Sequence, residues 1–312
     1  MQQRNPEAGK PHLEIHGTHH YTTGSVVSAD GTKIGYRQTG SGTGLVLLHG
    51  AMQSAQNLTQ LAAILSSAYT VYLPDRRGRG LSGPFGSDYG MEREVEDLAA
   101  LLTKTRAYNV FGLSSGALIA LQAALTLPAV EKVALYEPPL AIDGAPSPMA
   151  WVSRYDEALA RGDLAGAMVA CIKGTADPSL FTALPRFILT SLFRLAIRAS
   201  ADTADAADAQ AVRLATLIPT VHFDTRLAAE MAGTIDTFKA LRAKVLLIGG
   251  SRSADYLPIA LGALANVLPN ARRVELSGLG HLAADNSGKP KRVASELRCF
   301  FDASRDTQSG PQ

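Results

Sequence analysis

Residues 109–120 read NVFGLSSGALIA, and this stretch decides the architecture that we expect for the chain. An apolar run typical of a buried strand leads through Gly-x-Ser-x-Gly into small, helix-forming residues, so the pattern predicts a strand, a sharp turn and a helix. Glycine has no Cβ, so the two glycines of the motif allow the strand and the helix to approach each other closely. Such a turn lifts the hydroxyl of Ser114 out of the fold. It also leaves the backbone N–H of Ser115 facing the same space at a helix N-terminus.

Short apolar runs alternate with helical segments along much of the chain. Wholly apolar runs are typical of parallel strands that are covered on both faces by helices. An Asp-Gly pair at residues 30–31 also predicts a hairpin within residues 24–37. The alternation predicts an α/β fold with a doubly wound, mainly parallel sheet. The other predicted strands lie at residues 45–48, 69–73, 133–136, 244–248 and 273–276.

The strand pattern stops after the run that ends at Tyr136 and resumes at residue 244. Between them, residues 140–233 read as a helical insertion. We therefore expect a core made of residues 23–139 and 234–303, with flexible polar tails at residues 1–22 and 304–312. The first tail carries four histidines, at positions 12, 16, 19 and 20. No periodic framework orients them, so we expect a mobile tail there and no metal site.

Composition excludes several classes of function. Of the 312 residues, 46% are hydrophobic and 19% are charged, which supports a sizeable buried core, and a net charge of +2 gives no reason to expect a nucleic-acid partner. We find no run of about 18 apolar residues, and hence expect no membrane span. The two cysteines are far apart and match no metal-ligand spacing, so we expect buried free thiols and a cytoplasmic, reducing environment. No glycine-rich phosphate loop is present, and no cofactor or metal is implied.

Polar residues with catalytic chemistry follow several of the predicted strands. Since functional sites in such sheets lie at the carboxyl ends of the strands, we expect these side chains to converge on one edge. They are His49, Ser114, Glu137, residues 251–255 and His281.

A serine hydroxyl becomes a good nucleophile only when a nearby base takes its proton. The sequence offers His281 in SGLGHL at residues 277–282, where glycines let the loop curl back towards Ser114. His49 precedes Gly50 and fits a structural role in its turn. His222 lies in the helical insertion, where we expect it to be in the core or to face the substrate.

These motifs make the chain similar to the α/β-hydrolase superfamily over about residues 24–303. The resemblance depends on His49-Gly50, the turn at residues 75–82, Gly112 to Gly116, and His281. It implies that residues 140–233 form a cap over a Ser114 nucleophile. It also implies an oxyanion hole built from the backbone N–H groups of Ala51 and Ser115, and arginines in the 75–82 turn that are structural.

The acid that should orient His281 is ambiguous. In most of that superfamily it follows the strand equivalent to residues 244–248 as Gly-x-x-Asp, but here Ser253 occupies the aspartate position and Asp255 comes two residues later. A minority arrangement, as in zearalenone lactonases, places the acid one strand earlier, where this chain has Glu137. The proline that follows Glu137 predicts extended backbone there. We expect Glu137 to be the acid and keep Asp255 as the alternative.

The resemblance implies a serine hydrolase with a roofed pocket. We expect Trp151 in the roof and Met52 as an apolar wall, with few charges, so that the partner is a small, neutral, fairly hydrophobic ester or lactone cleaved through an acyl-enzyme. The serine at the turn argues against dehalogenases and epoxide hydrolases, which use a carboxylate there. Cleavage of a carbon–carbon bond, acyl transfer and a low-turnover ligand receptor remain open. The oligomeric state is also open, a homo-oligomer included.

Overall fold

The computed structural model of the chain describes residues 21–175, 180–203 and 212–303. The predicted tails and the four tail histidines therefore lie outside the described residues, apart from Tyr21 and Thr22. Thr22 is the first residue of the first strand.

One eight-stranded sheet forms the centre of the molecule. Its strands are β1 (Thr22–Val27), β2 (Lys33–Thr39), β3 (Thr43–Leu48), β4 (Tyr69–Pro74), β5 (Asn109–Leu113), β6 (Lys132–Tyr136), β7 (Lys244–Gly250) and β8 (Ala271–Leu276). Their order is β1-β2-β4-β3-β5-β6-β7-β8. β2 is antiparallel to β1 and β4, and all the other neighbours are parallel. The predicted mainly parallel α/β architecture is confirmed, as is the hairpin between β1 and β2.

Helices cover both faces of the sheet. The described helices are α1 (Thr59–Leu65), α2 (Met91–Thr105), α3 (Ser115–Thr126), α4 (Val152–Ala160), α5 (Leu164–Thr175), α6 (Leu180–Ala183), α7 (Arg186–Thr203), α8 (Leu214–Leu217), α9 (Val221–Glu230), α10 (Tyr256–Val267) and α11 (Pro290–Asp302), of which α4 to α9 lie between β6 and β7 in the chain. Short 3-10 turns precede α1, α9 and β7. No helix in the described ranges is long and apolar enough to cross a membrane.

Side-chain alternation along the strands builds two hydrophobic layers. In β3, Leu45 and Leu47 pack on the side of α1 and α11, whereas Val46 and Leu48 pack on the side of α2, α3 and α10. Successive residues of a strand point to opposite faces, so a run without polar residues must be covered on both. This is the physical reason why the apolar runs predicted the sheet.

Between β6 and β7, the described residues form helices and connecting loops but no strand. We call residues 140–233 the helical segment. It has its own apolar cluster, which includes Trp151, Tyr155 and Val221 and against which Ala51 of the core packs. Residues 176–179 and 204–211 of the predicted helical insertion lie outside the described residues.

Strand register brings the ends of β5, β6 and β7 together. Leu113 pairs with Tyr136, and Tyr136 pairs with Ile248. The next residues along the first two strands, Ser114 and Glu137, therefore leave the sheet side by side at its carboxyl edge.

Candidate active site

Ser114 lies at the N-cap of α3 with φ 55° and ψ −121°. A positive φ is strained for a residue with a Cβ and persists only where the surrounding structure enforces it. Here the enforcement comes from close packing around the turn. A Cβ on Gly116 would come within 2.5 Å of the carbonyl oxygen of His49, and one on Gly112 within 2.3 Å of the carbonyl oxygen of Gly116. The sharp strand–turn–helix geometry predicted from the sequence is present.

Three side chains meet beside this turn. His281 Nε2 lies 3.0 Å from Ser114 Oγ, and His281 Nδ1 lies 2.7 Å from Glu137 Oε2. Both His281 and Glu137 are buried. When Nδ1 carries the proton and donates it to the carboxylate, the lone pair of Nε2 is free to accept the serine proton. The arrangement can therefore activate the hydroxyl of Ser114.

Glu137 is held differently from our prediction. Its φ is 48°, so its backbone is left-handed and the extended conformation inferred from Pro138 is wrong. Its backbone N–H donates to the carbonyl oxygen of Ile248 at 3.1 Å. Its Oε1 accepts hydrogen bonds from the N–H of Gly250 and the hydroxyl of Ser253, each at 2.6 Å. These tertiary contacts outweigh the local preference of a residue before proline.

Asp255, the alternative acid, does not take part in this contact chain. It is exposed and occupies the N-cap position of α10, without a side-chain capping bond. Since Glu137 already fills the position beside His281 Nδ1, the alternative placement is wrong for this structure.

A cavity of about 100 Å³ opens above Ser114 and His281. The helical segment supplies most of its roof, including Pro148, Met149, Trp151, Cys171, Val221 and Ala228. Trp151 thus lies where the sequence predicts. Its indole N–H donates to the carbonyl oxygen of Pro148 at 2.8 Å, so the ring's polar atom is already satisfied and the indole contributes chiefly apolar surface.

Two predicted pocket residues are not among the described residues that line this cavity. Met52 is partly buried against the apolar cluster of the helical segment and has a positive φ of 56°. The side chain of His222 is 55% exposed and its Nδ1 lies 3.2 Å from Asp156 Oδ1. Val221, one residue earlier on α9, lines the cavity instead. The structure therefore does not place Met52 or His222 in the cavity lining, and their substrate-facing roles stay predictions.

Backbone donors lie close to the nucleophile. Ala51 and Ser115 both line the cavity. Ser115 is the first residue of α3, and N–H groups in the first helical turn have no acceptor within the helix. The N–H of Gly50, by contrast, donates to Gln53 Oε1 at 2.8 Å. Both residues of the predicted oxyanion hole thus line the cavity beside Ser114, and the role of their N–H groups stays a prediction.

The model of the alpha/beta hydrolase family matches residues 45–296. The chain belongs to this family. It is similar to an alpha/beta hydrolase from Sphaerobacter thermophilus, with a TM-score of 0.71 and 29% identity over 89% of this chain and 100% of that one. It also shares the fold of carboxylesterase CesB from Bacillus subtilis, with a TM-score of 0.66 and 16% identity over 90% of this chain and 92% of that one.

Among curated proteins, the chain is similar to N-formylmaleamate deformylase of Pseudomonas putida. The two are 33% identical over 140 residues, which are 42% of this chain and 52% of that protein. The chain thus matches about half the length of this relative.

A buried network of charged groups joins the core of this hydrolase to the helical segment. Arg76 Nη1 contacts Asp224 Oδ1 at 2.7 Å, and Arg79 Nη2 contacts Asp224 Oδ2 at 2.5 Å. The hydroxyl of Ser115 donates to Asp224 Oδ1 at 2.9 Å. Burial disfavours the charged form of Arg76, but the carboxylates of Glu94 and Asp224 outweigh this effect and raise its pKa well above the usual value. The arginines of the 75–82 turn therefore bind other residues of the protein, in agreement with the structural role inferred for them.

His49 also has a structural environment. Burial and the nearby charges of Arg79 and Arg76 hold its pKa well below the usual value. The N–H of Arg76 lies 3.2 Å from His49 Nε2, and His49 Nδ1 lies 3.0 Å from the carbonyl oxygen of Gly50. A neutral ring with its proton on Nδ1 satisfies both contacts.

Sequence reasoning missed Gln53 and Asp224, and it placed Ser253 at the edge of the sheet without giving it a role. Gln53 lines the cavity, and its Nε2 donates to Asp285 Oδ2 at 2.8 Å, which ties the loop of Ala51 to the segment that follows His281. Asp224 is an acid on the buried face of α9, which only the orientation of this helix in the structure shows. The roles of all three residues depend on contacts between distant parts of the chain.

The two cysteines are free thiols, as predicted. Only Cys171 is buried, whereas Cys299 is exposed, contrary to the expectation that both are buried. Burial raises the pKa of the Cys171 thiol to about 12.

Proposed function

We propose that this hydrolase cleaves a neutral, fairly hydrophobic carboxylic ester or lactone through an acyl-enzyme. The observation that carries the proposal is the contact chain Ser114–His281–Glu137, with separations of 3.0 and 2.7 Å, at the floor of a largely apolar cavity. A hydroxyl, an imidazole and a carboxylate in this order form the arrangement that nucleophilic acyl transfer requires.

The proposed reaction has two halves. His281 Nε2 takes the proton of Ser114 as Oγ attacks the carbonyl carbon, and the resulting oxyanion accepts hydrogen bonds from the N–H groups of Ala51 and Ser115. Glu137 stabilises the imidazolium, which then protonates the departing alcohol oxygen as the acyl–oxygen bond breaks. Water, deprotonated by the same imidazole, attacks the acyl-enzyme. The acid leaves and Ser114 recovers its proton.

The lining of the cavity supports a neutral substrate. The polar side chains among its described residues already have partners within the protein. Asp224 is neutralised by two arginines, and Gln53 bonds Gly50 and Asp285. The hydroxyls of Thr175 and Thr225 donate to backbone carbonyls. A charged substrate would lose its hydration here without gaining a free counter-charge, which is costly.

A second candidate is the removal of an N-formyl group. It is favoured by the 33% identity to N-formylmaleamate deformylase over part of the chain. The same serine, base and oxyanion donors would act, with an amide nitrogen in place of the ester oxygen as the leaving atom.

Fluorophosphonate labelling tests the proposal. We expect stoichiometric labelling of the folded protein and none of Ser114→Ala, with unchanged circular dichroism for the variant. A panel of p-nitrophenyl esters, lactones and an N-formyl amide then identifies the bond that is cleaved. Folded wild-type protein that resists labelling would contradict the proposal. Labelling without turnover of any substrate would instead favour a ligand receptor.

A further inference from the structure

Glu137, the acid of the Ser114–His281–Glu137 contact chain, is held in place by a loop. This loop supplies no member of the contact chain itself. It starts at Gly250, the last residue of β7, and ends at Ser253, and both of these residues donate hydrogen bonds to the carboxylate of Glu137. Building on the proposed acyl-enzyme chemistry, we propose that Ser253 is a positioning residue, whose hydroxyl fixes the carboxylate of Glu137 so that its second oxygen faces His281.

The two carboxylate oxygens of Glu137 have different partners, the loop on one side and His281 on the other. Oε1 accepts the hydroxyl of Ser253 and the N–H of Gly250, both at 2.6 Å, while Oε2 contacts His281 Nδ1 at 2.7 Å. An ionised carboxylate only accepts hydrogen bonds, so Ser253 must be the donor. Hydrogen bonds to charged groups are typically short and strong, and the two bonds to Oε1 have the short distances of this class.

The carboxylate needs such support because of its own torsional freedom. The terminal torsion of glutamate is broad, so the plane of the carboxylate is not set by its rotamer. Two donors on one oxygen restrict this rotation and direct the other oxygen at the imidazole. Glu137 is only 1% exposed, so bulk water has little access to replace a donor that is lost.

The loop itself does not need the hydroxyl in order to fold. Its backbone is held by hydrogen bonds that do not involve this hydroxyl. The N–H of Ser251 donates to Leu276 at 3.2 Å, that of Arg252 to Leu279 at 2.9 Å and that of Ser253 to Gly250 at 3.5 Å. The side chain of Ser253 therefore bonds Glu137, and none of these backbone hydrogen bonds of the loop depends on it. Removing it should affect catalysis more than stability.

Four variants test the proposal. Ser253→Ala deletes the donor, and the pair Ser253→Thr and Ser253→Val compares a hydroxyl with a methyl group of the same shape. Ser277→Ala removes an exposed serine hydroxyl near His281 and serves as the control. The measurements are the fluorophosphonate labelling rate, kcat and KM for the best ester of the panel, and Tm.

We expect Ser253→Ala and Ser253→Val to lower kcat and the labelling rate about tenfold, consistent with the loss of one hydrogen bond to a charged group. KM and Tm should change little. Ser253→Thr should restore most of the rate, and Ser277→Ala should match the wild type. Equal rates for the threonine and valine variants would overturn the role, even if Ser253→Ala folds poorly.

The outcome is separable from that of the proposed function. Wild-type protein that is labelled and turns over esters, together with valine and alanine variants that do the same at full rate, would refute the role of Ser253 alone. Wild-type protein that is neither labelled nor active would refute the acyl-enzyme chemistry and, with it, the role of Ser253.

Discussion

Replacement of Glu137 by glutamine is the sharpest test of how the site operates. The amide has the shape of the carboxylate but only one oxygen. Because Oε1 of Glu137 receives two donors, from Gly250 and Ser253, the amide oxygen should take that position. The NH₂ group then faces His281 Nδ1 and donates to it. His281 must consequently carry its proton on Nε2, where it can no longer accept the proton of Ser114.

We expect a large loss of kcat, because His281 would be held in the wrong tautomer. In a serine protease, the corresponding change of the triad carboxylate to an amide lowers kcat by about 10⁴-fold with the geometry intact. At about 1.36 kcal/mol for each factor of ten, this corresponds to about 5.5 kcal/mol of transition-state stabilisation. Since Glu137→Gln retains both hydrogen bonds on the side of the loop, its Tm should stay close to that of the wild type.

The assay is turnover of the best p-nitrophenyl ester, with fluorophosphonate labelling as a measure that does not depend on the substrate. Asp255→Asn is the matched control, because it makes the same change of a carboxylate to an amide in an exposed residue that follows the same loop. We expect this control to behave as the wild type. Nearly full activity in Glu137→Gln, or loss of activity only in Asp255→Asn, would refute this assignment of the acid.

Four further outcomes follow from the structure. Asp224→Ala leaves buried Arg79 without its acidic partner and Arg76 with Glu94 alone, and should cost about 3–5 kcal/mol in urea unfolding. An unchanged midpoint would contradict the network. Trp151→Ala removes a wall of the cavity and should raise KM for a bulky neutral ester more than it lowers kcat, whereas an equal effect on small and bulky esters would argue against a roof role. In native protein at pH 8, a thiol reagent should modify Cys299 but not Cys171, which should react only on unfolding. Because burial raises the pKa of Cys171 from 9.0 to about 12, the unfolded chain loses this proton first. The free energy of unfolding should therefore fall with rising pH across that range, and less so in Cys171→Ala.

The fold was largely predictable because local chemistry determines its elements. The central parallel strands β3, β5, β6 and β7 carry apolar runs that are buried on both faces, and this pattern survives in any tertiary context that covers both faces. The hairpin was equally local, since Gly31 adopts a φ of 86° and the N–H of Thr32 donates to Asp30 Oδ1 at 2.9 Å. The turn at Ser114 needed only its two glycines and the strand before it.

The missed features of the site depend on contacts across the sequence. The left-handed backbone of Glu137 is set by Ile248, and its carboxylate by residues more than a hundred positions away. Asp224 meets Ser115 across 109 residues. The orientation of α9 was also needed to distinguish Asp224, which faces the cavity, from the exposed His222. Neither composition nor spacing carries such information.

The pairing of Asp224 with the two arginines constrains how this protein can be recombined with its relatives. A transplanted helical segment would retain the charge balance beneath it only if the donor sequence places an acid at the matching position on α9. Without that acid, Arg79 would lose the carboxylate that it pairs with in a dry interior, and Arg76 would be left with Glu94. Successful chimeras should therefore take α9 and the 75–82 turn from the same parent protein.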